Sequence, residues 1–228
     1  MEVNVAFDMP PARFAIDPST GALSFVAAPD HEAPADAGAN NVYDVIVQAS
    51  DGTLTDTQAI AVTVTPTNDN APVIGSNGGG ATASISIAEN SSAVTTVTAS
   101  DADLPAQTLA YSISGGADAA LFSIDSATGV LSFNSAPDFE APADVGGNNV
   151  YDVTVQVSDG AGGADTQALA VTVTNANEAP LITSDGGGAT ASVSAAENQI
   201  AVTTATSTDV DGGTAVYSIA GGADAALF

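Results

Sequence analysis

Carboxylates and carboxamides recur at fixed positions along this chain, and their spacing could place several oxygen atoms around one hard cation. Asp101 and Asp103 form a D-x-D pattern, repeated as Asp209 and Asp211. Two residues apart on an extended segment, such side chains lie on one side, about 6–7 Å apart. Both can therefore face one ion, although a complete site would need ligands from other segments.

Five groups of this kind occur, each in two copies. They are Glu89 with Glu197; Asp138 and Glu140 with Asp30 and Glu32; Asp101 and Asp103 with Asp209 and Asp211; Asp159 with Asp51; and Asn68, Asp69 and Asn70 with Asn175, Asn177 and Glu178. Taken singly, Asp and Asn are common turn residues. Taken together, the groups need a counter-charge, because Arg13 is the only Lys or Arg in the chain.

The donor types favour calcium. Ca²⁺ takes six to eight oxygen ligands from carboxylates, carboxamides and backbone carbonyls. Zinc and copper prefer nitrogen and sulfur, whereas the chain has one His and no Cys. Two carboxylates about 4 Å apart repel each other by roughly 1 kcal/mol in water and about 4 kcal/mol at a protein surface. Gathering several carboxylates therefore predicts a bound divalent cation.

The composition excludes two classes of partner. The formal net charge is −26 in 228 residues, which argues against nucleic acid and against an anionic membrane surface. Apolar runs are far shorter than the roughly 20 residues that a membrane helix needs. With no Cys, the chain forms no disulfide, and hydrophobic residues at 45% are enough for a packed core.

Long segments of the chain repeat at domain spacing. The sequence FAIDPSTGALSF at 14–25 returns as FSIDSATGVLSF at 122–133, and GGGATASISIAEN at 78–90 returns as GGGATASVSAAEN at 186–198. The expected organisation is a partial repeat at 1–72 (with 1–13 unmatched), a complete repeat at 73–180 and a partial repeat at 181–228. We expect a segment of a longer tandem array, and each half repeat would expose apolar strand faces that a second chain could cover.

The hydrophobic pattern predicts an all-β fold. In YDVTVQVSD at 151–159, apolar and polar residues alternate with the two-residue period of a half-buried strand. ALAVTVT at 168–174 and SISIA at 84–88 alternate in the same way, and Gly, Pro and Asn clusters separate the strands. About seven short strands in each repeat predict an immunoglobulin-like, Greek-key β-sandwich. Tyr43 and Tyr151 fall on the apolar face and are expected in the core.

The ordered set of motifs resembles the cadherin repeat. That family has a glutamate near its first strand, an acidic pair, an A-x-D, a D-x-N-D-N-x-P linker, and a D-x-D early in the next repeat. Here AEN, DFE or DHE, VSDG or ASDG, TNDNAP, and DAD or DVD follow in that order. The similarity covers nearly all of 14–228. Pro66 replaces the leading Asp of the linker, and the second linker, NANEAP, is one residue shorter.

The resemblance implies two calcium-binding junctions between repeats. The first would use Asp30, Glu32, Asn68, Asp69, Asn70, Asp101, Asp103 and Asp159. The second would use Glu89, Asp138, Glu140, Asn175, Asn177, Glu178, Asp209 and Asp211. The implied function is a Ca²⁺-stiffened, adhesive spacer of an extracellular or cell-surface protein, with neighbouring repeats and other adhesin molecules as partners. Homophilic adhesion by exchange of a Trp-bearing strand is unsupported, because the chain has no Trp.

Three alternatives stand beside this interpretation. A β-sandwich can bind carbohydrate through exposed aromatic residues, although aromatics make up only 5% of the chain. General acidity could serve halophilic solubility, which predicts acidic residues scattered over all strands. An enzyme is disfavoured by the single His, the absence of Cys, and the absence of a nucleophile elbow or a phosphate-binding loop.

Overall fold

A computed structural model describes residues 12–227. Within them, strands are joined by turns, and the only helical segments are short 3₁₀ turns at Ala119–Leu121, Ser184–Gly186 and Ala225–Leu227. The strands are β1 Phe14–Ile16, β2 Leu23–Phe25, β3 Val42–Ser50, β4 Thr55–Thr63, β5 Val73–Ile74, β6 Thr82–Ala88, β7 Ala93–Thr96, β8 Ala99–Ser100, β9 Ala110–Gly115, β10 Phe122–Ile124, β11 Val130–Phe133, β12 Val150–Ser158, β13 Ala164–Thr174, β14 Leu181–Ile182 and β15 Ser207–Thr208. No helix in this described part is long and apolar enough to cross a membrane.

The middle repeat contains a four-stranded sheet, in the order β6-β13-β12-β9, and a three-stranded sheet, in the order β10-β11-β7. β6 runs parallel to β13, with Thr82 opposite Ala168 and Ala88 opposite Thr174. The other pairs with a defined register are antiparallel, such as β10 with β11. The predicted all-β fold is therefore confirmed.

The core of this repeat lies between its two sheets. Tyr151, Val153 and Val155 of β12 are at most 1% exposed, and Phe133 of β11 packs edge-on against Tyr151 at a ring-centroid distance of 5.0 Å. The polar neighbour Asp152 is exposed. The two-residue alternation read from the sequence is confirmed, and the sandwich is held together by the apolar faces of both sheets.

The chain forms two compact units. The first comprises the described residues up to Val73 together with Ala99–Ala110 and Val157–Asp165. It contains the β1–β2 and β3–β4 hairpins. Tyr43 is 4% exposed there and packs edge-on against Phe25, with ring centroids 5.2 Å apart.

The second unit comprises Ile74–Thr98, Tyr111–Gln156 and the described residues from Thr166 onward. It holds most of the sandwich described above and the β14–β15 pair. Between Gly188 and Ser207 the chain has no strand. The two core tyrosines, at 4% and 1% exposure, are not available as surface platforms for sugar rings.

Candidate metal centres

The first acidic cluster consists of Glu32, Asp69 and Asp103 and lies within the first unit. One carboxylate oxygen from each lies within 4.8 Å of the others. Glu32 follows β2, Asp69 belongs to the linker after β4, and Asp103 follows β8. Three segments far apart in sequence therefore bring their carboxylates together.

Asp103 is the centre of this cluster and is only 1% exposed. The Asn70 backbone N–H donates to both of its oxygens at 3.2 Å, and the Asn70 side-chain amide donates to Oδ1 at 2.8 Å. The hydrogen bond from the Asn70 side chain lowers the pKa of Asp103 below its usual range. The linker is thus held against an ionised carboxylate.

Glu32 and Asp101 complete the surroundings. The Leu104 N–H donates to Glu32 Oε1 at 3.2 Å, and His31 Nδ1 lies 3.2 Å from the same oxygen. Asp101 Oδ1 accepts the Asp103 N–H at 3.0 Å, whereas Asp101 Oδ2 is buried without a hydrogen-bond partner. Such an oxygen costs free energy unless something binds it.

The remaining predicted residues of this junction serve local turns or neighbouring amides. Asp30 Oδ1 accepts the Glu32 and Ala33 N–H groups at 2.9 and 3.1 Å, which closes the turn that presents Glu32. Asp159, 8% exposed, accepts backbone N–H groups from 161 to 163. The amide of Asn68, in its better-satisfied orientation, donates to Asp159 Oδ2 at 3.0 Å and to Asp103 Oδ2 at 3.3 Å.

The second acidic cluster consists of Glu89, Glu140, Glu178 and Asp211 and lies within the second unit. Again one oxygen from each lies within 4.8 Å of the others. The desolvation of Glu140, together with the charges of Glu89, Glu178 and Asp211, raises its pKa. This cluster is short of positive charge in its metal-free form.

Glu89 anchors the second cluster and is 3% exposed. Its Oε2 accepts the Phe139 N–H at 2.7 Å, and its Oε1 accepts the Ala176 N–H at 2.8 Å. The carboxylate at the end of β6 therefore fixes both the turn before Glu140 and the linker after β13. This double role requires a side chain with two acceptor oxygens at position 89.

The second linker contacts the D-x-D segment of the following repeat. The Asn175 amide donates to Glu140 Oε1 at 2.7 Å and to Asp211 Oδ1 at 2.8 Å. The Glu178 N–H donates to Asp211 Oδ2 at 2.5 Å, whereas Glu178 Oε2 is buried without a partner. The Glu178 N–H therefore contacts Asp211 in the second cluster as the Asn70 N–H contacts Asp103 in the first. The second cluster contains four carboxylates, whereas the first contains three.

Besides Asn175, three predicted residues of the second junction lie outside its acidic cluster. Asp138 Oδ1 accepts the Ala141 N–H at 3.0 Å, and Asp209 Oδ1 accepts the Asp211 N–H at 3.2 Å. The Asn177 amide donates to the Glu178 carbonyl at 2.9 Å. These side chains shape the turns that carry the clustered carboxylates.

Two residues at the centres were missed by sequence reasoning. Gln107 donates to Asp103 Oδ2 at 3.3 Å and contacts the Asn68 amide. It lies in LPAQT, whose counterpart in the third repeat is the shorter GGT, so no recurrence marked it. Asn90 donates to Glu178 Oε1 at 2.5 Å. The AEN motif contains this residue, but the resemblance implies a ligand role only for its glutamate.

The donor sets fit a calcium ion. All side chains gathered at both centres offer oxygen, and one buried carboxylate oxygen near each centre has no protein partner. Oxygen donors from several segments suit Ca²⁺, while the clusters contain neither His nor Cys as a ligand. Fold and centres together define a tandem β-sandwich protein with acidic clusters beside its inter-repeat linkers.

A protein-family model matches the middle repeat. Residues 83–174 match the family model of the Cadherin domain, so the middle repeat is a cadherin domain of the cadherin-like repeat family. A cadherin domain is an adhesion or structural module rather than an enzyme, and calcium binding is characteristic of it. No curated protein matched the chain.

Solved structures of cadherin extracellular domains share the fold. Mouse cadherin-23 EC22-24 is 23% identical, with a TM-score of 0.52, over 72% of this chain and 50% of that chain. Protocadherin gamma B2 domains 3-6 is 24% identical, with a TM-score of 0.56, over 77% and 42%. Human protocadherin-24 EC1-2 is 24% identical, with a TM-score of 0.55, over 74% and 80%. The match thus spans half or less of the first two structures.

Proposed function

We propose that this chain is a segment of a calcium-stiffened spacer in an adhesion protein at the cell surface or in the extracellular space. One observation carries the proposal: carboxylates from distant segments meet in two clusters, each beside a linker, with an unpartnered buried oxygen on Asp101 or Glu178. The cadherin domain at 83–174 supports it.

The proposed calcium ligands extend each cluster to its neighbours. At the first centre they are Asp30, Glu32, Asn68, Asp69, Asn70, Asp101, Asp103 and Asp159, and at the second Glu89, Asp138, Glu140, Asn175, Asn177, Glu178, Asp209 and Asp211. Gln107 stands beside the first centre as a further oxygen donor. Asp30, Asp138 and Asp209 each use Oδ1 for a turn, which leaves Oδ2 for an ion.

The mechanism is mechanical. Without a counter-ion, repulsion among the like charges within 4.8 Å opposes the hydrogen bonds that hold the linker against the acidic segments. Bound calcium would neutralise these carboxylates and hold the segments together. The backbone contacts of Asn70 and Glu178 keep the linkers in register for this binding. Extracellular modules bind calcium at about 10⁻⁴–10⁻³ M, so such sites would fill outside a cell and empty inside it.

Small-angle scattering with calcium and with chelator tests the stiffening. Asp101→Asn keeps the acceptor for the Asp103 N–H but removes one charge. We expect the parent chain to become less flexible on adding calcium, and the variant to need more calcium for the same change. Identical calcium responses of parent and variant would refute the role of the first centre.

A further inference from the structure

A second loop lies beside each of the two acidic turns that present proposed calcium ligands. In the middle repeat, the loop DVGGNN at 144–149 lies between the acidic turn DFE at 138–140 and strand β12. The first repeat has the same arrangement, with the acidic turn DHE at 30–32 and the loop DAGANN at 36–41. Neither loop contains a proposed ligand, so any part that it plays in calcium binding must be indirect.

Each loop is folded around the carboxylate of its first residue. Asp144 is only 6% exposed. Its Oδ1 accepts the Asn149 N–H and its Oδ2 accepts the Asn148 N–H, each at 3.0 Å. In the first repeat Asp36 forms the same two bonds, also at 3.0 Å. The two loops therefore share one conformation, which an aspartate holds by accepting backbone N–H groups.

The last residue of each loop has a left-handed backbone conformation. Asn149 has φ +61° and Asn41 has φ +62°. Their carbonyl groups accept the N–H groups of Val173 on β13, at 2.8 Å, and of Val64, which follows β4, at 2.9 Å. Glycine adopts a left-handed conformation with the least strain. The backbone alone therefore does not require Asn, and the reason for Asn lies in its side chain.

The side-chain amide of this Asn reaches back to the acidic turn. Asn149 Nδ2 donates to the Phe139 carbonyl at 2.9 Å, and Asn41 Nδ2 donates to the His31 carbonyl at 2.9 Å. Phe139 and His31 are the middle residues of the two acidic turns. Because the acceptor is a backbone carbonyl, the same bond forms in both repeats although the accepting residue differs.

In the middle repeat, this bond completes a hold on the acidic turn from both sides. The Phe139 N–H donates to Glu89 Oε2 at 2.7 Å, and the Phe139 carbonyl accepts from Asn149. The first of these peptide groups joins Phe139 to Asp138, and the second joins it to Glu140. Since peptide groups are planar and rigid, fixing both of them restricts where the two acidic side chains can point.

The oxygen of the same carboxamide has no protein partner. Asn149 Oδ1 and Asn41 Oδ1 are both buried, and no described residue donates a hydrogen bond to either. A buried acceptor without a donor costs free energy. Both repeats carry this cost at the residue that ties the loop to the acidic turn. Such a local cost is expected where a side chain serves function rather than stability alone.

We propose that Asn149 and Asn41 are positioning residues for calcium, each of which orients the side chains of its acidic turn before the ion binds. The inference rests on the proposed calcium-binding function and extends it to two residues outside the ligand set. Ligands that are already oriented lose less conformational freedom on binding. Loss of such an outer contact commonly lowers metal affinity by about 10–100-fold.

Two glycine substitutions at neighbouring positions test the proposal. Asn149→Gly removes the side-chain amide but keeps the left-handed backbone and the backbone bonds to Asp144 and Val173. Asn148→Gly is the matched control, because it makes the same change one residue earlier. Asn148 Oδ1 accepts the Val150 N–H at 3.0 Å, which is a contact at the end of the loop and not with the acidic turn.

Amide NMR of the full 228-residue chain, titrated with calcium, reports on each centre separately through the linker N–H groups of Asn70 and Glu178. In Asn149→Gly, the calcium dissociation constant measured at Glu178 should rise about tenfold, while the constant measured at Asn70 stays at the parent value. Asn148→Gly should match the parent at both amides. Asn41→Gly should show the mirror image, with the tenfold rise at Asn70.

Thermal melts in chelator separate positioning from a simple loss of stability. If the role is structural only, Asn149→Gly will melt at a lower temperature but bind calcium as tightly as Asn148→Gly, and this result would overturn the proposal. A parent chain whose linker amides do not respond to calcium would overturn the calcium-binding function itself, and this inference with it. The two failures are therefore distinguishable.

Discussion

Neutralising Glu178 should move the stability of the metal-free chain and its affinity for calcium in opposite directions. Glu178 shares a 4.8 Å cluster with three other carboxylates, and its Oε2 is buried without a partner. In Glu178→Gln, one oxygen can still accept from Asn90, and the new amide can donate to the neighbouring carboxylates. The change therefore removes repulsion without removing the local contact.

The magnitude follows from Coulomb's law. A carboxylate pair at 4.8 Å costs about 1 kcal/mol in water and about 3–4 kcal/mol at an effective dielectric constant of 20. Because the cluster is only partly buried, we expect a gain of about 1–3 kcal/mol in the free energy of unfolding in chelator. This corresponds to roughly 2–4 °C of melting temperature for each kcal/mol. Calcium affinity should fall about tenfold, or about 1.4 kcal/mol.

Thermal melts in chelator and in millimolar calcium measure both effects. Asp152→Asn is the control, since it removes one charge from an exposed position outside the cluster, and it should leave both melts nearly unchanged. A Glu178→Gln chain that is less stable in chelator, or whose calcium-induced shift equals the parent's, would refute the reasoning.

Two further predictions concern the second unit. Gln167 is 0% exposed and donates to the Gly80 carbonyl at 2.8 Å, while its Oε1 accepts from the Asn77 amide at 3.2 Å. Gln167→Leu removes the donor to the Gly80 carbonyl and the acceptor of the Asn77 amide, whereas the Ser76 carbonyl keeps the Gly79 N–H at 3.0 Å. The free energy of unfolding in urea should fall by about 1–3 kcal/mol, and an unchanged midpoint would contradict the proposed bonding. The pKa of Glu140 is raised by desolvation and by its acidic neighbours, so ionisation of Glu140 destabilises the folded chain. In chelator, the free energy of unfolding should therefore rise as the pH falls from neutral through this raised pKa. Glu140→Gln should abolish that rise. Asp51, in the first unit, has the opposite effect at lower pH. Hydrogen bonds from Leu54 and Thr53 lower its pKa to about 2, so its protonation below pH 3.8 removes stability.

The sequence was sufficient for the fold because the alternation of apolar and polar residues is explicit. β12 and β13 appear as strands with the predicted faces, and Tyr43 and Tyr151 are in the core as expected. The exception is 189–206, where nearly the same letters as in β6 and β7 form no strand. Sequence similarity between repeats does not supply the partner strands on which a β-strand depends.

For the candidate centres, the sequence indicated which residues recur but not which oxygens are free. Glu89 carries two backbone hydrogen bonds across 50 and 87 residues, and no local pattern predicts them. Gln107 lies in a loop without a counterpart of equal length, so repetition could not mark it. The unpaired oxygens of Asp101 and Glu178 depend on three-dimensional packing alone.

Calorimetric titration of the chain with calcium, paired with thermal melts in calcium, magnesium and chelator, tests the central proposal most directly. We expect saturable calcium binding and a rise in melting temperature that calcium produces and magnesium does not. No binding at millimolar calcium would contradict it, because the acidic clusters would then be turn residues and solubilising charge.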